Sequence, residues 1–201
     1  TALGLDRLDS LLIHDWHDLG TAQTAAAEVM EQLRASGLVD AVGISAYGEP
    51  DLASALSAFD RLDIVQVPAN ALDRRLDASA SIRRLQDSGA RIQVRSVFLQ
   101  GLLAAESDSP QGRHRAVQRF HADCSARDLA PMAVALAHAR SLPWATELVL
   151  GVTSVAELDE LLDAWETVPA QPCDRALASE DLDLIDPRRW AATAPSVRLP
   201  S

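Results

Sequence analysis

The feature that most constrains the fold is a strand pattern followed by a helix pattern, repeated along most of the chain. Short apolar and β-branched runs predict strands at 10–16, 41–45, 63–67, 91–97 and 147–151. Strands that alternate with helices form parallel sheets, because each helix returns the chain to the starting edge of the sheet. The sequence therefore predicts an α/β fold with about five parallel strands.

Helical periodicity fills most intervals between these strands. The predicted helices are 21–36, 50–59, 79–88, 113–126, 131–141 and 154–165. Gly37 and Gly89 follow two of them, where a left-handed residue commonly ends a helix. Residues 168–201 are richer in proline and charge and contain one short helical stretch at 179–185. We expect them to form a tail that packs outside the main body of a single domain spanning residues 1–201.

A longer irregular segment follows the fourth predicted strand. Residues 100–112 include Ser107, Asp108, Ser109 and Pro110, a composition that is typical of loops. Such a loop either covers a bound ligand or lies exposed on the surface, and both interpretations stay open at this point.

The net charge of the chain limits the kinds of molecule that we expect it to bind. The chain contains no lysine, its 18 basic residues are all arginine, and 29 Asp and Glu residues give a formal net charge of −11. An acidic surface repels phosphate backbones, so we do not expect nucleic-acid binding.

No apolar run approaches the ~20 residues that a membrane span needs, and we expect no membrane association. Cys124 and Cys173 lack the paired spacing of zinc or redox motifs, which fits a reducing, cytoplasmic setting.

His14 is the first candidate for chemistry, because it lies at the end of the first predicted strand. Parallel α/β folds carry their functional groups at the C-terminal ends of strands. Asp15, His17 and Asp18 follow closely, but alternation along a strand and loop sends these four side chains in different directions. We therefore expect no metal site in this cluster.

Two architectures fit the predicted strands, an open doubly wound sheet and part of a (β/α)8 barrel. No Gly-x-Gly-x-x-Gly motif follows any predicted strand, and a chain without lysine cannot contain the lysine loop that binds nucleotide triphosphates. The two common phosphate-binding motifs of open sheets are thus absent from the sequence. The barrel is the favoured interpretation.

Five sequence blocks resemble a known family. Residues 3–14 (LGLDRLDSLLIH), 42–45 (VGIS), 64–66 (IVQ), 96–103 (SVFLQGLL) and 150–154 (LGVTS) resemble the fourth to eighth strand motifs of the aldo-keto reductases. They occur in the family's order and with its spacing. Residues 94–101 look most like bacterial members of unassigned substrate, some of which are associated with sugar metabolism.

The resemblance implies a (β/α)8 TIM barrel that transfers hydride between a nicotinamide cofactor and a carbonyl or alcohol. His14 matches the family's histidine, which polarises the carbonyl of a small-molecule substrate. The family's Asp, Tyr and Lys have no match in this chain, and Tyr47 lies on a loop where it does not match the acid. We expect this chain to be inactive alone.

The resemblance also implies contacts to the nicotinamide end of NADP or NAD. Ser45 and Gln66 match positions that hydrogen-bond the nicotinamide carboxamide, whereas Ala46 replaces the family's asparagine. Arg95 stands where an aromatic residue commonly stacks on the nicotinamide ring. A guanidinium can stack there as well, and it favours the reduced cofactor over the positively charged oxidised ring.

Further matches concern the phosphates of the cofactor. Ser96, Phe98 and Gln100 match a loop that contacts the pyrophosphate, and Gly151 and Thr153 precede a predicted helix start that offers free N–H groups. Glu157 stands where many members carry an arginine for the 2′-phosphate, and Leu161 replaces an adenine-contacting asparagine. Selectivity for NADPH over NADH is therefore not expected, because a carboxylate repels a phosphate.

Three hypotheses remain for what this chain is and what it does. In the leading one, a complete barrel has three more strand–helix units before Thr1, and this chain is a truncated piece or one part of a split enzyme. The second is a non-catalytic half-barrel that binds a nucleotide, or that dimerises or pairs with another chain through its open strand edges. The third is an unrelated barrel lyase or isomerase using carboxylates, for which only Asp15 fits clearly.

Overall fold

The structure is a computed structural model that describes residues 4–190. Five parallel strands form one sheet in chain order: β1 (Leu8–Ile13), β2 (Val39–Ser45), β3 (Ile64–Pro68), β4 (Arg91–Arg95) and β5 (Glu147–Leu148). Every neighbouring pair is parallel, as right-handed helical crossovers require. The predicted α/β fold with five parallel strands is confirmed.

Seven α-helices occupy residues 4–190. They are α1 (Gln23–Ala35), α2 (Glu49–Ala58), α3 (Ala80–Asp87), α4 (Arg115–Ala126), α5 (Pro131–Arg140), α6 (Val155–Thr167) and α7 (Leu182–Ile185). Short 3-10 helices lie at His17–Ala22, Arg175–Leu177 and Pro187–Arg189. Each predicted helix is present with small shifts at its ends, and residues 100–112 contain turns but no helix or strand.

The first strand ends earlier than predicted. β1 stops at Ile13, and the 3-10 helix His17–Ala22 follows after a bend. Trp16, which the sequence pattern assigned to the strand, is fully buried instead, and its indole N–H donates to the Ser54 hydroxyl on α2 at 2.7 Å. Burial of this large side chain against α2 turns the chain away from the sheet, which leaves His14 immediately beyond the strand end.

The two faces of the sheet differ in polarity. One face is apolar and packs on helices α1 to α3 through buried residues that include Val42, Ile44, Val65, Val67, Ile92 and Val94. On the opposite face a polar ladder crosses three strands: the Gln66 amide donates to Gln93 at 3.1 Å, and Gln93 donates to Glu147 at 2.6 Å. In a closed barrel this polar face is the interior.

The segment from 168 to 190 corrects the expectation of a tail outside the main body. Cys173, Leu177, Leu184 and Ile185 are buried in a second apolar cluster, together with Leu72, Leu99, Leu103 and Phe120. The Ser179 N–H also donates to the Leu72 carbonyl at 2.9 Å. This segment therefore belongs to the core, whereas residues 191–201 of the predicted tail lie outside the described residues.

Two surfaces of the described chain are open. Within residues 4–190, β1 pairs only with β2 and β5 pairs only with β4. Beside the β5 edge, α6 carries an exposed apolar stripe of Val155, Leu158, Leu162 and Trp165, which lie on one helix face by their spacing. The expected open strand edges are present in this part of the chain. No helix in the described region combines the length and apolar character needed to cross a membrane.

Gly43 in β2 gives a stability test of the sheet. A Cβ atom at this position would lie 1.7 Å from the Ile64 carbonyl oxygen of β3, so Gly43→Ala forces the two strands apart. We expect a loss of about 1–3 kcal/mol in the free energy of unfolding, measured by urea titration. Gly151→Ala is the control, since a Cβ there meets no atom within 4 Å. Equal unfolding midpoints for the two variants would contradict this account.

Candidate functional site

The predicted site residues converge at the C-terminal edge of the sheet. His14 directly follows β1, Ser45 ends β2, Gln66 is the central residue of the short strand β3, and Arg95 ends β4. Ser45 is the register partner of Gln66, and Arg95 is the register partner of Pro68. Because residues two apart on a strand share a face, Ser45, Gln66 and Arg95 all lie on the polar face. The parallel topology thus gathers the four side chains into one area.

His14 is open to solvent and held by a carboxylate. Its side chain is 85% exposed, and Nδ1 lies 3.0 Å from Oδ2 of Asp15. A carboxylate partner favours the tautomer that donates from Nδ1, which leaves Nε2 to face a ligand. His17 turns to another partner, with Nδ1 3.4 Å from Oδ1 of Asp51. Among residues 4–190 no three His, Cys, Asp or Glu side chains are grouped so that they could hold a metal ion.

Ser45 and Gln66 offer polar atoms from fixed positions. Ser45 is 4% exposed, so its hydroxyl has little freedom. The Gln66 amide donates to Gln93, which Glu147 holds in turn, and this chain fixes the orientation of the Gln66 side chain. Hydroxyl and amide groups held in this way suit recognition of a planar carboxamide.

Arg95 is part of a stack of three side chains. Its guanidinium carbon lies 4.1 Å from the centre of the Tyr47 ring, and the guanidinium carbon of Arg188 lies 3.5 Å from the same centre. Two guanidinium groups this close to one ring centre cannot share a face without overlapping, so the ring is held between them. Burial lowers the pKa of Arg95, although its usual value is high enough that the side chain remains charged at neutral pH.

The loop after β4 adopts strained backbone conformations. Ser96, Leu99 and Gln100 have φ values of 59°, 45° and 55°, a region that non-glycine residues rarely adopt. The Asn70 amide donates to the Ser96 carbonyl at 3.1 Å, and Phe98 packs against all three apolar clusters. Strained backbone of this kind concentrates at ligand sites. The three predicted pyrophosphate residues, Ser96, Phe98 and Gln100, therefore lie on a rigid turn.

The start of α6 carries a carboxylate. Ser154 caps the helix by accepting the N–H of Glu157 at 3.1 Å, and Glu157 accepts the Thr153 N–H at 2.6 Å and its hydroxyl at 2.9 Å. The Thr153 backbone N–H is the main reason that the pKa of Glu157 is lowered, so the carboxylate is ionised at neutral pH. Gly151 is exposed just before this cap. The residues do not fit a 2′-phosphate here, because the anion would meet a fixed negative charge.

The structure adds contacts that sequence reasoning missed. Gln93 orients Gln66, Asn70 anchors the turn at Ser96, and Tyr47 stacks with both Arg95 and Arg188. Alternation along β4 places Gln93 on the same face as Arg95, so its position could have been inferred. The contact between Arg188 and Tyr47 has no local signal, because these two residues are distant in sequence.

A cavity lies away from these residues. It has a volume of about 430 Å³ between the 106–113 loop and α4, and its lining includes Asp108, Arg113 and His121. None of the predicted site residues lines it.

Comparisons with known proteins agree on one family. The model of the aldo/keto reductase family matches residues 1–174. A D-threo-aldose 1-dehydrogenase from Pseudomonas sp is 35% identical over 115 residues, which is 56% of this chain and 35% of that relative.

Solved structures are similar in fold. An aldo-keto reductase from Bacillus halodurans has TM-scores of 0.68 in its apo form and 0.69 in its holo form, at 19% identity over 87% and 84% of this chain. A glycerol dehydrogenase from Gluconobacter oxydans has a TM-score of 0.55 at 17% identity over 86% of this chain. The chain covers 61%, 59% and 63% of these three chains. The parallel sheet with its flanking helices thus matches a part of their (β/α)8 barrels.

Proposed function

The chain belongs to the aldo/keto reductase family, and on that premise we propose that the protein containing it is an oxidoreductase that transfers hydride between a nicotinamide cofactor and a carbonyl or alcohol. The observation that carries the proposal is the convergence of His14, Ser45, Gln66 and Arg95 at one edge of the sheet. These groups differ in chemistry, yet each suits one part of a hydride-transfer site.

We assign the nicotinamide end of the cofactor to Ser45, Gln66 and Arg95. The hydroxyl and the amide bind the carboxamide and orient the ring, and the guanidinium covers one ring face. The bound cofactor supplies or accepts the hydride. The turn at Ser96, Phe98 and Gln100 binds the pyrophosphate through its backbone, with Gly151 on the other side. The matched Thr153 is not assigned to the pyrophosphate, because Glu157 already accepts both its N–H and its hydroxyl.

We assign the carbonyl oxygen of the substrate to His14. As the imidazolium, its exposed ring donates from Nδ1 to Asp15 at 3.0 Å, which keeps the ring oriented, and from Nε2 to this oxygen. Polarisation makes the carbonyl carbon a better hydride acceptor. The proton that completes the alcohol comes from a group outside this chain, since the family's tyrosine and lysine have no match here.

We therefore propose that the 201-residue chain binds the cofactor but turns over no substrate alone. Segments that complete the barrel, from the same protein or a partner chain, cover the β1 and β5 edges and the apolar stripe on α6. The alternative, a half-barrel that binds a nucleotide without chemistry, rests on the same open edges. Free, buried Cys124 and Cys173 support a reducing, cytoplasmic location.

Deuterium transfer tests the proposal directly. The intact protein is incubated in one arm with NAD⁺ and aldoses deuterated at C1, because the Pseudomonas relative is an aldose 1-dehydrogenase, and in a second arm with NADH deuterated at C4 of the nicotinamide and a panel of aldehydes and ketones. We expect deuterium at C4 of the NADH formed in the first arm or at the former carbonyl carbon of the product in the second, detected by mass spectrometry. NADH binding without deuterium transfer across aldoses, aldehydes and ketones would favour the half-barrel alternative.

Cofactor choice gives a prediction at Glu157. Its ionised carboxylate at the start of α6 repels a 2′-phosphate, so we expect NADH to bind more tightly than NADPH. Glu157→Gln removes the charge and keeps an oxygen that accepts from Thr153, and it is expected to improve NADPH affinity by roughly tenfold relative to NADH. Fluorescence titration of both cofactors measures the ratio.

Glu160→Gln serves as the control, because Glu160 is an exposed carboxylate on the same helix. If both variants change the ratio equally, net charge and not the position of Glu157 governs cofactor choice.

A further inference from the structure

We propose that Tyr47 is a positioning residue that holds the Arg95 guanidinium flat, so that the free face of Arg95 forms the surface on which the nicotinamide ring lies. The inference deepens the proposed function and rests on it. Tyr47 lies two residues beyond Ser45, on the loop after β2, and the family resemblance assigned it no role.

Tyr47 is the principal contact of Arg95. The hydrogen bonds of the Arg95 guanidinium to the Ser96 hydroxyl and the Ala46 carbonyl are both long, at 3.4 Å. A long, flexible side chain with such weak restraints would otherwise sample several rotamers. Tyr47 restricts it further, because the centre of its ring lies 4.1 Å from the guanidinium carbon and its side chain is also a hydrogen-bond partner of Arg95.

Tyr47 is itself held firmly. Its backbone N–H donates at 2.9 Å to Asp51, a buried carboxylate on α2, and its second ring face is covered by Arg188. Arg188 is fixed in turn by two hydrogen bonds to Asp186, at 2.9 and 2.7 Å. Residues 186–188, which directly follow Leu184 and Ile185 of the second apolar cluster, therefore support the site from outside the sheet.

The ring also separates two cations. Arg95 and Arg188 repel each other, and an aromatic ring between them attracts both through its negative faces. Without the ring the repulsion would drive Arg95 away from the strand end. A guanidinium has two faces, and we infer that the face turned away from Tyr47 is the one that receives the nicotinamide ring.

The test measures NADH binding to the intact protein by cofactor fluorescence. Tyr47→Phe keeps the ring, loses only the hydrogen bond of the hydroxyl to Arg95, and is expected to stay within about threefold of wild-type affinity, whereas Tyr47→Leu is expected to weaken NADH binding by about tenfold. Thermal unfolding of both variants establishes that they fold. NAD⁺ affinity is expected to change less, because the positively charged ring gains less from Arg95 in the first place.

A double-mutant cycle distinguishes positioning from a general structural effect. In an Arg95→Leu background, Tyr47→Leu is expected to cause no further loss of NADH affinity, because the residue through which it acts is gone. A loss that persists in that background, or equal losses for the Phe and Leu variants, overturns the inference. Failure of the folded wild-type protein to bind NADH would instead overturn the proposed function.

Discussion

Replacing His14 with alanine is expected to lower kcat of the intact protein by about 10²- to 10⁴-fold, the range that a positioned general acid–base or polarising group contributes. The ring is 85% exposed at the strand end and is oriented by Asp15, so its removal leaves the carbonyl oxygen without this donor. NADH affinity is expected to stay close to that of the wild type, because Ser45, Gln66 and Arg95 are untouched. Steady-state kinetics and cofactor titration measure the two quantities separately.

His17→Ala is the matched control for His14. His17 is 73% exposed and has its own carboxylate partner, Asp51, at 3.4 Å. It lies three positions beyond His14 in the chain and is assigned no contact to the substrate. The control is expected to keep kcat within about threefold of wild type. A loss of similar size in both variants would mean that the local charge pattern, and not His14 itself, supports turnover.

The second large effect is a pH dependence of stability that originates at His138. This side chain on α5 is 2% exposed, and its Nδ1 accepts the N–H of Cys173 at 3.3 Å. Burial, with Arg74 nearby, lowers the pKa of His138 from 6.5 to about 4. The folded protein therefore keeps this ring neutral while the unfolded chain takes up a proton below pH 6.5.

The sign of the effect follows from that difference. Between pH 6.5 and 4 the unfolded state binds more protons than the folded state, so the free energy of unfolding falls as the pH falls. The difference between the folded and unfolded pKa values corresponds to about 3 kcal/mol of the free energy of unfolding. This contribution is lost progressively as the pH falls from 6.5 to 4, and the loss does not grow further below pH 4. Urea titrations at pH 7, 6, 5 and 4 measure the loss.

His138→Gln isolates the contribution of this one group. The glutamine cannot take up a proton in either state, and its oxygen can accept the Cys173 N–H. Carboxylates also titrate near pH 4, so the informative quantity is the difference in the free energy of unfolding between wild type and variant. This difference is expected to change by about 3 kcal/mol between pH 7 and 4. His17→Gln, which removes an exposed histidine, should follow the wild-type curve, and parallel curves for all three proteins would refute the assignment.

Local patterns predicted most of the fold. The helix and strand periods located the elements because each depends on residues a few positions apart, and Gly37 and Gly89 both adopt the positive φ expected after a helix. The predictions were wrong where contacts between residues distant in sequence determine the structure. Trp16 leaves the strand to be buried against α2, and the segment after residue 168 enters the core because Leu177 and Leu184 meet Leu72 and Phe120.

The candidate site was predictable in part for the same reason. Strand ends in a parallel sheet meet at one edge, so His14, Ser45, Gln66 and Arg95 could be placed together from their positions alone. Their roles toward a cofactor and substrate remain predictions. The contacts of Tyr47 with Arg95 and Arg188 could not be foreseen, since no periodicity relates side chains on different elements.

By itself, the sequence determined the class of fold, the order of its elements and the family to which the chain belongs, because apolar periodicity and short motifs are properties of neighbouring residues. Only the tertiary structure decided that the 168–190 segment contributes buried side chains to the core, that Tyr47 lies between two arginines, and that Glu157 is fixed at the start of α6. These features depend on the distances between elements and on burial, which exist only once the chain has packed.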